Sequence, residues 1–403
     1  MSAHLLSLLL PTPPIDYKPI SRNVISLTLI GVPLLIATLI LKLVHSSAHS
    51  DLEAFQLSSN GSDVFHNIVP SSSTFRHVNA IQSLPSPFSG LLTCEHSTNQ
   101  CFFLPKNAPM PLPLISNSGA ALNETHAASL LRPGISSIAP YSCAEGNCSM
   151  LVTRHAARDV GVLTLAASSQ TLYPTYQVNS LASMWNQTRF NAPNSLAVDA
   201  RGNIFFSDAY FGLVESIDEF DRKLDKPPGA TLPQAVYYMP ALDILAFQSG
   251  EAESPEPLLL VNDLDRPSGV AVTSDNRLLV SVASPRKPCI VEYAIEYEKT
   301  NGRNRLVAKD PVVIYDWTSS LHNWQHSFFS GILGNIVLDE RNRLYVGVAD
   351  GVAVFDVSGR ATSEKSPMAW IRAALPPGPT TVSYDSGVLY IAASSKVVSV
   401  TVM

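Results

Sequence analysis

The chain has 403 residues, of which 46% are hydrophobic and 15% are charged, so it is long and apolar enough to bury a large core. This composition excludes a disordered polyelectrolyte. The net charge of −6 leaves no basic field that could hold nucleic acid, so that class of partner is excluded as well.

The first predicted element is a membrane-spanning helix. Residues 24–44 form an apolar run whose first eighteen residues carry no charge, which is enough to cross a hydrocarbon core of roughly 30 Å. Lys18 and Arg22 precede the run and outweigh Lys42 near its end, which predicts a cytoplasmic tail over residues 1–23. The alternative is a cleaved signal peptide, although the run is longer than a usual signal sequence. We therefore expect a single-pass membrane protein whose remaining residues are luminal or extracellular.

Two features beyond the apolar run agree with a luminal or extracellular location. Asn-x-Ser/Thr sequons predict glycosylation at Asn60, Asn123, Asn147 and Asn186. Two pairs of cysteines that are close in sequence predict the disulfides Cys94–Cys101 and Cys143–Cys148, which leaves Cys289 unpaired. The alternative is that all the cysteines are buried thiols in a reducing compartment.

After the apolar run the chain divides into a stalk and a single large domain. Residues 45–74 are rich in serine and other polar residues and are interpreted as the stalk, whereas residues 75–403 contain a recurring phrase. Each copy has an apolar strand, a polar turn and a second apolar strand, as in a β-hairpin. The copies occupy residues 194–208, 267–281, 334–347 and 382–392.

A strand unit that repeats at this scale is typical of a β-propeller and favours it over a β-sandwich. Two more strand pairs, at residues 90–104 and 149–165, add two blades before the four recurring ones. The predicted fold class is therefore an all-β, six-bladed β-propeller preceded by one transmembrane helix.

The recurring phrases resemble those of a known family. Residues 189–212 are similar to the phrases F-N-S-P-N-D-V-V and G-x-I-W-F-T-D-P-x-Y-G of gluconolactonases and fungal lactonohydrolases, which belong with regucalcin. Residues 265–275 resemble P-N-G-L-x-F-S-P-D, and residues 333–354 resemble P-D-G-I-K-V-D followed by G-D-G-V-x-V-W. The resemblance implies a six-bladed propeller. In active members it implies hydrolysis of a lactone with one Ca²⁺ or Zn²⁺ in the central channel.

The sequence departs from the metal ligands that the resemblance implies. The Asn of P-N-G falls on Ser268, the Asp of P-D-G falls on Gly334, and the glutamate of the first blade falls near Gly90. The second polar residue of P-N-D is Ser195, whereas Asn194 is retained at a position that contacts substrate in the family. Because a Ca²⁺ or Zn²⁺ site without carboxylates binds far more weakly, we expect no metal cofactor and no catalytic residue. Restoring the two lost side chains with Ser268→Asn and Gly334→Asp is expected to recover only part of the metal binding.

These observations predict a monomeric, membrane-anchored, lactonohydrolase-like propeller with a degenerate metal site and little or no lactonase activity. Two alternatives stay open. The first is an active metal-dependent lactonase or esterase. The second is an extracytoplasmic scaffold that binds a small molecule or a protein on one face of the propeller.

Three smaller motifs receive structural interpretations. His322 and His326 are four residues apart, as in some zinc sites, but no acidic residue is near and a polar loop is preferred. Residues 154–159 are predicted to form a turn between two strands rather than a polar cluster at the channel mouth. Asp208 and Gly212 are predicted to stabilise a turn after a strand.

Overall fold

The computed structural model describes residues 65–67, 78–106, 110–119, 132–144, 146–168, 173–213, 226–227, 229–284, 286–300, 303–318, 333–348, 351–371, 380–393 and 396–402. Among these residues no helix is long and apolar enough to cross a membrane. The predicted anchor at residues 24–44 lies outside them, as do the sequons at Asn60 and Asn123 and the pair His322 and His326.

Most of the described chain consists of short antiparallel strands. The first strand is β1 (Phe65–Asn67). Blade 1 comprises β2 (Ala80–Leu84), β3 (Gly90–Glu95), β4 (Gln100–Pro105) and β5 (Leu112–Ser116). Blade 2 comprises β6 (Ile135–Ala144), β7 (Asn147–Arg154), β8 (Asp159–Ala166) and β9 (Thr175–Ala182). A small hairpin follows, made of β10 (Met184–Trp185) and β11 (Thr188–Arg189).

The recurring phrases form the remaining blades. Blade 3 comprises β12 (Pro193–Val198), β13 (Ile204–Asp208), β14 (Ala235–Met239), helix α1 (Ala241–Gln248) and β15 (Leu258–Val261). Blade 4 comprises β16 (Pro267–Val272), β17 (Arg277–Val282), β18 (Cys289–Thr300) and β19 (Arg303–Asp316). Blade 5 comprises β20 (Ile336–Leu338), β21 (Arg343–Val348), β22 (Gly351–Asp356) and β23 (Ala369–Ile371). Blade 6 contains β24 (Thr380–Asp385), β25 (Val388–Ala393) and β26 (Lys396–Thr401).

The six four-stranded sheets confirm the predicted six-bladed β-propeller. Blade 6 is completed by β1, which pairs antiparallel with β26 and places Phe65 opposite Val400. The two ends of the propeller therefore share one sheet, which closes the ring of blades by hydrogen bonds. As β1 lies within the stretch assigned to the stalk (45–74), the propeller begins before residue 75.

The hydrophobic core lies between neighbouring blades. The described residues form six apolar clusters, each made of side chains from two adjacent blades. Phe205 and Tyr238 of blade 3, for example, share a cluster with Leu278 and Val280 of blade 4. Every residue of β13 and β17 is buried, because a middle strand of a blade is covered on both faces. These strands accordingly contain continuous apolar runs instead of a strict alternation.

Both predicted disulfides are present. Cys94 and Cys101 are directly opposite on β3 and β4 and are bonded to each other. Cys143 and Cys148 are likewise opposite on β6 and β7 and bonded. Cys289, at the start of β18, is a buried free thiol, as predicted.

Candidate functional site

The starts of the innermost strands surround one cavity in the centre of the propeller. Each blade contributes a polar residue at or just before the beginning of its innermost strand: Asn79, Ser136, Asn194, Ser268, Asn335 and Thr380. The cavity offers about 50 Å³ to the centres of water-sized molecules, and about 520 Å³ of empty space when the open solvent at its mouth is included. Closure of the propeller arranges all six blades around one axis. The side chains at equivalent positions of the repeat therefore form a ring of hydroxyl and amide groups.

A recurring hydroxyl group on the second strand of a blade supports the channel residue of the next blade. In three successive blades it donates to a backbone carbonyl across the blade boundary: Thr153 to Asn194 (3.0 Å), Ser207 to Ser268 (2.5 Å) and Ser281 to Gly334 (3.2 Å). Sequence analysis gave these hydroxyl groups no role. The sequence signal for these hydroxyl groups is a Ser or Thr at the second-to-last position of β7, β13 and β17.

Asn194 lies at the centre of a hydrogen-bond chain that crosses the cavity wall. Its Oδ1 accepts from the Ser136 hydroxyl (2.8 Å), and its Nδ2 donates to the Ser268 hydroxyl oxygen (3.3 Å). The Ser268 hydroxyl in turn donates to the carbonyl of Leu333 (3.0 Å). The chain links blades 2, 3 and 4 to the residues that precede blade 5, so the retained Asn194 has a structural partner on each side.

Asn335 links the last two blades in the same way. Its Oδ1 accepts from the Thr381 hydroxyl (2.7 Å) and from the backbone N–H of Val382 (2.8 Å). Its Nδ2 donates to the carbonyl of Val382 (2.7 Å). Asn335 immediately follows Gly334, and sequence analysis did not select it because the family phrase has a glycine at this position.

The positions of the family's metal ligands in blades 4 and 5 do not fit a metal ion. The Ser268 side chain is buried and its proton is directed to a carbonyl. A Cβ atom added to Gly334 would lie well inside 3.0 Å of the Thr380 carbonyl oxygen, closer than real Cβ atoms approach backbone. No side chain can therefore project from this position without displacing the start of β24. Partial recovery of metal binding by Ser268→Asn with Gly334→Asp stays a prediction that requires the channel to keep its shape, and the backbone of Thr380 already occupies the space that the aspartate needs.

The first-blade position is corrected as well. Gly90 does not line the central cavity; it lies at the other end of blade 1, beside Leu104 and Pro105 in a separate cavity. The residues of blade 1 at the channel include Val78 and Asn79, neither of which is acidic. Within the described ranges, no three His, Cys, Asp or Glu side chains come together to hold a metal ion.

Two residues with basic side chains lie at the central cavity. Arg132 and His96 line it, and the His155 ring lies 5.8 Å from the His96 ring, centroid to centroid. Burial, and then the positive charge of Arg132, lower the pKa of His155 to about 4. His155 is consequently neutral at pH 7. Its Nδ1 carries the proton, because Nδ1 lies 3.0 Å from the Arg132 carbonyl oxygen, which can only accept.

The segment from Arg154 to Asp159 forms the predicted turn, and none of its residues is among the described residues that line the central cavity. The turn joins β7 to β8, and the buried side chains of Arg154 and Asp159 make an ion pair across it. The turn also holds the buried His155, whose ring contacts that of His96. A Cβ atom on Gly212 would lie 2.6 Å from the Cβ of His155, so the glycine is required for this close packing.

Asp208 has a structural role that differs from the predicted one, because its hydrogen bonds hold the segment before β12 and not a turn after its own strand. Its carboxyl group is fully buried and accepts from the backbone N–H groups of Asn191 (2.9 Å) and Ala192 (2.7 Å). Burial raises the pKa of Asp208 to about 7, against the opposing effect of these hydrogen bonds. Asp208 thereby fixes the segment that enters β12, and it does not line the central cavity.

Comparison with known proteins places the fold. No protein-family model and no curated protein matches the sequence. A solved gluconolactonase from Xanthomonas campestris has a TM-score of 0.55 at 15% identity and covers 84% of this chain and 89% of its own. A luciferin-regenerating enzyme has a TM-score of 0.54 at 12% identity, with coverages of 84% and 95%. At these identities the likeness shows a shared fold and not shared chemistry, and this chain has the fold of the gluconolactonase-like β-propellers.

Proposed function

We propose that this protein is a membrane-anchored, gluconolactonase-like propeller with a degenerate metal site and little or no lactonase activity. One observation carries the proposal. The Thr380 carbonyl occupies the space that a side chain at position 334 would need, so the family's acidic ligand has been lost together with the room for it. The change is therefore built into the packing of blades 5 and 6.

Chemical considerations support the same conclusion. Ca²⁺ and Mg²⁺ are held by oxygen ligands that include carboxylates, and the described residues of the cavity wall offer only neutral oxygen atoms beside the cation Arg132. Among the described residues, the cavity wall also has no carboxylate that could serve as general base, a group typically worth about 10²–10⁴ in rate. His155 does not replace it, because its Nε2 is shielded from solvent and its pKa is low.

The proposed location rests on sequence and on covalent chemistry. The apolar run at residues 24–44 supplies an anchor, and disulfides persist in oxidising compartments. Two of the sequons lie in the described residues: Asn147 is exposed beside a disulfide, and Asn186 is exposed in the two-residue turn between β10 and β11. Both asparagines are accessible to a glycosyltransferase in the proposed orientation.

The test uses the full chain, expressed in a secretory cell and purified in detergent. After dialysis, elemental analysis should find less than one tenth of a divalent metal ion per chain. Aldonolactone hydrolysis should equal the buffer rate, with an active gluconolactonase as the positive control. One tightly held calcium or zinc ion per chain, together with lactonase activity that a chelator removes, would refute the proposal and establish the alternative of an active metal-dependent lactonase.

A further inference from the structure

We infer that a second cavity, the cleft between blades 1 and 6, binds a small organic molecule that carries a phosphate or sulfate ester group. The cleft lies at the end of β2, away from the central cavity, and its described lining comes from blade 1 and from strands β25 and β26 of blade 6. The inference goes beyond the proposed function and does not depend on the metal content of the central channel.

The cleft exists because apolar side chains fill only part of the interface between blades 1 and 6. The described apolar cluster at this interface has fewer side chains than those between blades 2 and 3 and between blades 3 and 4. The space left open offers about 450 Å³ to the centres of water-sized molecules, and about 990 Å³ when open solvent is included. The smaller volume lies within the range of roughly 300–1,000 Å³ that is usual for small-molecule sites.

Side-chain donors without a protein partner line the cleft. In the part of the chain that the structure describes, six lining side chains can donate a hydrogen bond and none of them is hydrogen-bonded or ion-paired to another protein group: Ser83, Ser86, Ser89, Lys106, Tyr390 and Ser399. In the central ring, by contrast, the hydroxyl protons of Ser136 and Ser268 are directed to other protein groups. The donors of the cleft are therefore available to a ligand.

The charge of the cleft favours an anion. Among the described residues that line it, the ammonium group of Lys106 is the only charged side chain, and no aspartate or glutamate is present. A phosphate or sulfate ester group has three oxygen atoms that accept hydrogen bonds, which matches a point charge surrounded by hydroxyl groups. A flat carboxylate suits the planar fork of an arginine better, and a cation is repelled by Lys106.

The turn between β2 and β3 holds the groups that would bind the anion. The backbone N–H groups of Phe88 and Ser89 both donate to the Pro85 carbonyl at 3.0 Å, and the backbone N–H of Lys106 donates to the Ser89 carbonyl at 2.9 Å. Ser89 has a φ of 42°, in the left-handed region that favours glycine. A serine in this strained conformation supplies a hydroxyl group next to Lys106, which a glycine would not.

The rest of the cleft suits a compact and partly apolar body. Tyr390 and Ser399 lie directly opposite each other on β25 and β26. On the side of blade 1, the buried side chains of Leu91 and Leu104 contribute to the wall. A bare phosphate or sulfate ion would leave most of this space to water, whereas an organic ester uses both the polar rim and the apolar wall.

The experiment is titration calorimetry on the full chain in detergent with four probes that share a phenyl group: phenyl phosphate, phenyl sulfate, phenyl β-D-glucoside and phenethylamine. We expect the better of the two esters to bind about tenfold more tightly than the neutral glucoside, and the cationic amine to bind most weakly. The tighter ester identifies the oxyanion that the cleft prefers. Raising sodium chloride from 50 to 500 mM should weaken ester binding and leave glucoside binding unchanged, since salt screens the charge pair.

Two variants assign the binding to the cleft. Lys106→Gln should weaken ester binding about tenfold and leave glucoside binding unchanged. Ser89→Gly should weaken ester binding about threefold to tenfold through loss of one hydrogen bond. It should keep the unfolding temperature, because relief of the strained φ offsets the freedom that glycine gives the unfolded chain. Lys299→Gln is the matched control, since Lys299 is an exposed lysine on β18 of blade 4.

Two results would overturn the inference. One is wild-type protein that binds neither ester, or binds both no more tightly than the glucoside. The other is a folded Lys106→Gln variant that binds the esters as tightly as Lys299→Gln does. Neither result bears on the proposed function, which the metal analysis and the lactonase assay test separately.

Discussion

Substitution of Gly334 by alanine tests directly whether the metal position has been closed by packing. The added Cβ would lie inside 3.0 Å of the Thr380 carbonyl oxygen, 3.3 Å from its carbonyl carbon and 3.4 Å from the Gly347 carbonyl oxygen. All three neighbours are backbone atoms of blades 5 and 6, so no side chain can rotate away. Overpacking of a core costs about 1–3 kcal/mol, and we expect the upper end because the backbone must move.

The displacement also strains two backbone hydrogen bonds of Gly334. Its N–H donates to the Gly347 carbonyl (2.9 Å), and its carbonyl accepts from the Ser281 hydroxyl (3.2 Å). A loss of about 3 kcal/mol corresponds to a fall of roughly 6 °C in unfolding temperature for a domain of a few hundred residues. Gly334→Asp should be less stable still, because it buries a carboxyl group as well, and it should not bind calcium.

The assay is thermal unfolding of the purified full chain at one fixed scan rate, with a glycine control. Gly359 is exposed, has no atom within 4 Å of an added Cβ and does not have a positive φ, so Gly359→Ala should be neutral or slightly stabilising. If Gly334→Ala unfolds at the same temperature as Gly359→Ala, the space at position 334 is open and the steric argument is wrong.

Three further predictions concern buried groups. Arg277→Ala should destabilise the protein by about 3–5 kcal/mol in chemical denaturation, because it leaves buried Glu292 without the guanidinium 2.8 Å away; an effect below 1 kcal/mol would contradict this. His155 has a folded pKa of about 4 and an ordinary value of 6.5, so the unfolded chain binds more protons between these values. Stability relative to His155→Gln should therefore fall by up to about 3 kcal/mol as pH drops from 7 to 4, and equal pH profiles would refute the assignment. Cys289 is a buried thiol whose pKa burial raises to about 11, so it should react with iodoacetamide at pH 8 only after unfolding. Peptide mapping that finds rapid labelling of the folded protein, or Cys289 in a disulfide, would contradict this.

The channel also shows how side chains near the axis join neighbouring blades. Hydrogen bonds through Asn194 and Asn335 now join neighbouring blades across the cavity wall. These neutral donors and acceptors connect the blades in pairs. The ring is thereby satisfied without a buried carboxylate, which would cost free energy unless it were paired.

Sequence analysis identified the blades wherever the repeated phrase is regular. The copies of the repeated phrase from residue 194 onward, with their apolar strands and polar turns, predicted the innermost and second strands of blades 3 to 6. The close cysteine pairs predicted both disulfides. These are local signals, because a hairpin and a short disulfide loop depend on residues a few positions apart. The strand at 65–67 was missed, since only its pairing with β26, at the far end of the chain, makes it part of a blade.

The lining of the channel was decided by tertiary structure. The sequence placed Asn194, Ser268 and Gly334 at equivalent points of the repeat, but it could not show that the Thr380 carbonyl fills the space beside Gly334. Nor could it show that Arg132, from a segment outside every recognised phrase, lines the cavity. The local periodicity of the sequence indicates which residues share a strand. Contacts around the axis form only after the six blades close into a ring. The departures from the family phrases at Ser268 and Gly334 were therefore visible in the sequence, but the ring of hydroxyl and amide groups around the axis was visible only in the folded chain.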